Sequence, residues 1–92
     1  MSENERREVH YDGRVQGVGF RYTTVEIAER FKVSGYVENL DDGRVLLVAE
    51  GEPAELDRFL AAVAERLKRY IAHVDERKRP AKGELNGFFI RR

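Results

Sequence analysis

At 92 residues the chain has room for one compact core and none for a separate cofactor-binding domain. Its 17 basic and 17 acidic residues cancel, so no general positive field draws in a nucleic acid or an anionic membrane, and any anion site must be local. The absence of cysteine removes disulfides, thiolate nucleophiles and sulfur metal ligands, and the two histidines, His10 and His73, stand far apart.

Cytoplasmic, metal-free chemistry is therefore expected. The first eight residues are polar and charged, and no apolar run approaches the length of a membrane span, so neither export nor membrane insertion is expected. Residues 1–7 read as a flexible tail. From Val9 the alternation of Val9, Tyr11, Gly13 and Val15 with polar residues has the period of a half-buried strand. A glycine-rich turn follows. Tyr22, Val25, Ala28 and Phe31, with Thr24 and Ile27 beside them, predict a helix over 22–31. Residues 35–40 and 44–50 read as a hairpin about Asp41-Asp42-Gly43. Pro53 suits a first helical turn, and Leu56, Phe59, Leu60, Val63 and Leu67 form the stripe of a second helix. Residues 71–77 and 88–91 read as strands joined by a mobile polar stretch containing Pro80 and Gly83.

The order strand, helix, strand, strand, helix, strand, terminal strand predicts an α+β ferredoxin-like two-layer sandwich. Two helices then cover one face of a mostly antiparallel sheet in a single domain spanning 1–92. Fold alone does not choose a function.

Residues 13–21 read GRVQGVGFR. Two glycines between a strand and a helix allow a tight turn whose N–H groups converge, the helix N-terminus adds its positive end, and Arg21 brings a permanently charged planar fork. The ligand implied is a phosphate or a carboxylate. Tyr22 stands where a dinucleotide fingerprint needs a third small residue, and no lysine followed by serine or threonine completes a nucleotide P-loop.

The string GRVQGVGFR resembles the signature of the acylphosphatase family, and Gly35-Tyr36-Val37-Glu38-Asn39-Leu40 followed by Asp42-Gly43 resembles its second signature. The resemblance runs from about Glu8 to Arg91. It implies hydrolysis of acyl phosphates, with Arg21 as the catalytic arginine on the phosphate and Asn39 as the residue that orients water. It also implies phosphate binding by the loop of Gln16, Gly17, Val18, Gly19, Phe20 and Arg21, no cofactor, and a monomer whose partner is a small-molecule acyl phosphate. A strand-helix-strand unit makes its two strands parallel, so the loop and Asn39 share one edge of the sheet. One intervening strand separates them by about 10 Å. Glu38 should face away from Asn39, and His10 and His73 read as structural.

Two readings from other classes stand beside this one. An RNA-binding module would stack bases on aromatics of a central strand, whereas GVGFRY lies in a turn on a chain of zero net charge. A binding module for a small metabolite would use the same cradle without turnover.

Overall fold

The computed structural model describes residues 3–92. Its elements are β1 (Glu5–Gly13), α1 (Phe20–Ala28), β2 (Ser34–Asn39), β3 (Val45–Gly51), α2 (Pro53–Leu67), β4 (Ile71–Pro80) and β5 (Phe88–Ile90). They form the expected sandwich. The sheet order is β4-β1-β3-β2-β5, antiparallel throughout except that β5 lies parallel to β2.

Alternation along the strands decides which face is covered. Val9 and Tyr11 of β1, Val37 of β2, and Val45, Leu47 and Ala49 of β3 point to the helices. There they meet Phe20, Ile27 and Ala28 of α1 and Leu56, Phe59, Val63 and Leu67 of α2 in one core. Phe59 joins the layers through an edge-on contact with Phe88, at 5.4 Å between centroids, and a tilted one with Phe31 at 5.8 Å. Glu38 is paired with Leu46 on the other face of the sheet from Asn39, as the alternation requires.

The structure corrects four details of the sequence reading. Met1 and Ser2 of the expected tail lie outside the described residues, and residues 5–7 belong to β1, where Arg7 is only 2% exposed. Arg7 is held there by Glu5, Asp57 and Glu76, the last two brought by α2 and β4. The first strand accordingly ends at Gly13, and Val15 is buried from the loop that follows.

Helix α1 begins at Phe20 and ends at Ala28 rather than covering 22–31. Its buried side chains are Phe20, Thr24, Ile27 and Ala28, so the core takes Thr24 and Ile27 of one stripe with Ala28 of the other, and Tyr22 faces water. Burial of Phe20 against Tyr11, at 5.0 Å between ring centroids, draws the helix start forward. Bonds from Arg30 N to Ile27 O and from Phe31 N to Ala28 O tighten its last turn and close it.

The polar stretch after β4 is also anchored. β4 runs on to Pro80, and the N–H groups of Lys82 and Gly83 donate to the buried carboxylate of Glu50. Because β4 and β5 are opposite edges of the sheet, this stretch must cross it, and Glu50 holds the crossing.

Candidate active site

At the C-terminal ends of β1 and β2 the chain builds a cleft of about 140 Å³. Val15, Gly17 and Gly19 line it from the loop, Phe20, Arg21 and Tyr22 from the start of α1, Asn39 from the end of β2, and Ile90 from β5. β3 lies between β1 and β2, so the site is assembled across an intervening strand.

The loop owes its shape to glycine at two points. Gly17 and Gly19 both have φ of 79°, a left-handed conformation that costs other residues about 1 kcal/mol or more. Gly19 is the N-cap of α1, and its carbonyl accepts from Thr23 N at 3.0 Å to close the first helical turn. The N–H groups from Gln16 to Tyr22 have no acceptor among the described residues. A row of free donors at the positive end of a helix is suited to an anion.

Two ties fix the loop. Arg14 N donates to Tyr70 O at 2.9 Å. Gln16 Nε2 donates to the carbonyls of Leu40 and Arg44, at 2.8 and 2.9 Å, and these residues are themselves joined by Leu40 N to Arg44 O. Gln16 thus clamps the loop to the hairpin that carries Asn39. Its side chain is a positioning device rather than part of the cleft wall, and Val18 packs against the core instead. Neither side chain lines the cleft, so what they can offer a ligand is the backbone N–H. Phe20 is likewise 2% exposed with its ring in the core. The clamp by Gln16 was not legible in the sequence, where a lone glutamine between a valine and a glycine carries no pattern.

The electrostatics separate the cations of the site. Arg44 is paired with Asp42 at 2.8 Å, and the Arg44 backbone N–H, with that guanidinium, holds the Asp42 carboxyl below its ordinary range. Arg21 has no carboxylate partner among the described residues. Across the cleft Asn39 Oδ1 is buried without a hydrogen-bond donor, an expensive condition for an acceptor that nothing meets. His10 Nδ1 shares it on the opposite face of the sheet. An unpaired buried atom is therefore not by itself a site. Asn39 is set apart by sharing its cleft with an unpaired arginine and two left-handed glycines. No group of three or more His, Cys, Asp or Glu side chains able to hold a metal ion occurs among the described residues.

Comparison with known proteins identifies the family. The Acylphosphatase family model matches residues 7–90. A Rubrobacter xylanophilus protein named Acylphosphatase is 42% identical over 90 residues, covering 97% of this chain and 82% of that protein. An Archaeoglobus fulgidus protein of the same name is 54% identical over 56 residues, a match covering 61% of this chain and 63% of that protein's length. The crystal structure of acylphosphatase from Bacillus subtilis superposes with a TM-score of 0.85 at 32% identity, covering 96% of this chain and 99% of that one. The chain belongs to the acylphosphatase family, and acyl phosphate hydrolysis is the activity that this membership implies.

Proposed function

We propose that the chain, as a single acylphosphatase-like domain, hydrolyses the carboxyl–phosphate bond of acyl phosphates by direct attack of water. Arg21 and the N–H groups of residues 16–21 hold the phosphoryl group, and Asn39 holds the water. The observation that carries this is the juxtaposition of Asn39 and of Arg21, which has no carboxylate partner among the described residues, in one cleft. A side-chain amide at the cleft wall can hydrogen-bond a water, and a guanidinium without a carboxylate is suited to a phosphoryl oxygen.

Phosphoryl transfer depends chiefly on positioning and on neutralising charge at the three equatorial oxygens. Arg21 supplies the charge and the loop amides supply directed donors. Water oxygen bonds to phosphorus as the bond from phosphorus to the acyl oxygen breaks, and that electron pair leaves on the carboxylate. A carboxylate is a weak base, so its departure needs no general acid. A phosphoryl oxygen of the substrate accepts the water proton, and the products are a carboxylate and inorganic phosphate. This chemistry asks for no metal and no cofactor, and for no nucleic-acid or membrane partner. We place it in a cytoplasmic monomer. No helix among the described residues is long and apolar enough to cross a membrane.

The test is phosphate release from benzoyl phosphate in the presence of a chelator, with phosphate binding followed in parallel by 31P NMR. Chelator-resistant hydrolysis is the expected result. Binding of phosphate without hydrolysis of this or any other acyl phosphate would make the cleft a binding module and overturn the proposal.

A further inference from the structure

Tyr22 is 69% exposed, the most exposed large hydrophobic side chain among the described residues. It lies at the third position of α1, directly after Arg21, and it lines the cleft. Side chains on a helix lean toward its N-terminus. The cleft lies off the N-terminus of α1, so the ring of Tyr22 leans over the cleft mouth.

No ring or cation contact among the described residues covers that ring. Among the described residues the aromatic contacts join Tyr11 to Phe20, Phe31 and Phe88 to Phe59, and Tyr36 to Phe89, and Tyr22 is in none of them. The contrast with Phe20 is instructive: two residues earlier on the same helix, it is 2% exposed. A ring kept in water beside a cleft is a surface available to a ligand.

The cleft divides its chemistry accordingly. Arg21, the loop N–H groups and Asn39 are committed to the phosphoryl group and the water. Of the remaining lining, Val15, Ile90 and Tyr22 are apolar or aromatic, and no carboxylate or lysine is present. An acyl group that carries a second phosphate or a carboxylate finds no further cation in this lining. A flat apolar acyl group finds a ring.

Building on the function proposed above, we infer that Tyr22 is the acyl-recognition residue of this site. Its ring stacks on the acyl group of the bound acyl phosphate and selects flat apolar acyl groups, aromatic ones foremost, over acetyl-sized ones.

The experiment compares kcat and KM for benzoyl phosphate and acetyl phosphate in the wild type, Tyr22→Ala and Tyr22→Phe, with competitive inhibition by inorganic phosphate as the control on the cradle. In Tyr22→Ala the preference for benzoyl over acetyl phosphate is expected to fall about 3- to 10-fold, the range of one aromatic contact. The loss should appear in KM for benzoyl phosphate, while Tyr22→Phe keeps the preference and inhibition by phosphate stays within about twofold. An equal loss on both substrates, a weakening of phosphate inhibition that accounts for the loss, or a Tyr22→Phe variant as unselective as Tyr22→Ala would overturn the assignment of Tyr22 and leave the hydrolase standing. A folded wild type inactive on both substrates would remove both.

Discussion

Where β1 begins and β3 finishes, the buried charges have partners. Arg7, 2% exposed, donates to Glu5, Asp57 and Glu76, and Glu50, 4% exposed, accepts from Arg6, Lys82 N and Gly83 N. Where β1 and β2 finish, at the other end of the sheet, Arg21 has no carboxylate, Asn39 Oδ1 has no donor and the loop amides have no acceptor among the described residues. The first arrangement spends its polar groups on one another and so holds the fold; the second leaves them for a ligand. Substitutions at the two ends should therefore separate stability from activity.

The largest effect is expected from Arg21→Gln. Removing the charge proposed to hold the phosphoryl group should lower kcat/KM by about 10³-fold or more. The unfolding free energy should move by no more than about 0.5 kcal/mol, because no partner is lost. Steady-state kinetics and urea unfolding on one preparation check both halves.

Next comes the opposite pattern. Arg7→Ala removes a buried side chain and leaves Glu5, Asp57 and Glu76 without their cation. Because those carboxylates stay partly solvated, the cost should be about 2 kcal/mol of stability in urea. Turnover by the folded fraction should persist, since Arg7 lies at the far end of β1 from the loop. A variant with intact stability and lost turnover would reverse the roles given to the two ends.

The smallest effect sharpens the contrast through pH. Burial pushes the Glu50 carboxyl up, and the N–H groups of Lys82 and Gly83 with the Arg6 guanidinium more than offset it, so the group lies below its ordinary 4.5. A depressed carboxyl contributes stability that is complete above its unfolded value and is lost as pH falls through the folded one. Melting temperature should therefore drop on the acid side of 4.5. Glu50→Gln should shallow that acid limb, which thermal melts between about pH 3 and pH 6 would show.

The same contrast explains what could be read in advance. The roles expected of Arg21 in catalysis and of Asn39 with water came from the resemblance to the two family signatures, whereas the glycine turn and the arginine at the helix start were legible as an anion cradle because they lie within a few residues of one another. The stripe of α2 was legible for the same reason. The Arg7 cluster was not, because Asp57 and Glu76 stand 50 and 69 residues away and the segment Glu5-Arg6-Arg7 by itself reads as a solvated tail. Glu50 and the crossing after β4 were hidden in the same way. In α1 two apolar stripes competed, and only docking on β1 through Phe20 and Tyr11 decides that Thr24 and Ile27 are covered while Tyr22 is left outside.

The most direct test is Asn39→Ala, with turnover of benzoyl phosphate and unfolding free energy measured on the same protein. On the proposed role of Asn39 in holding the water, its loss should lower kcat by about 10²-fold or more. Deleting a buried acceptor that has no donor should leave stability unchanged or raise it by about 1 kcal/mol. A variant that keeps its turnover, or that loses stability along with activity, would contradict the claim that the unpartnered end of the sheet is held ready for substrate.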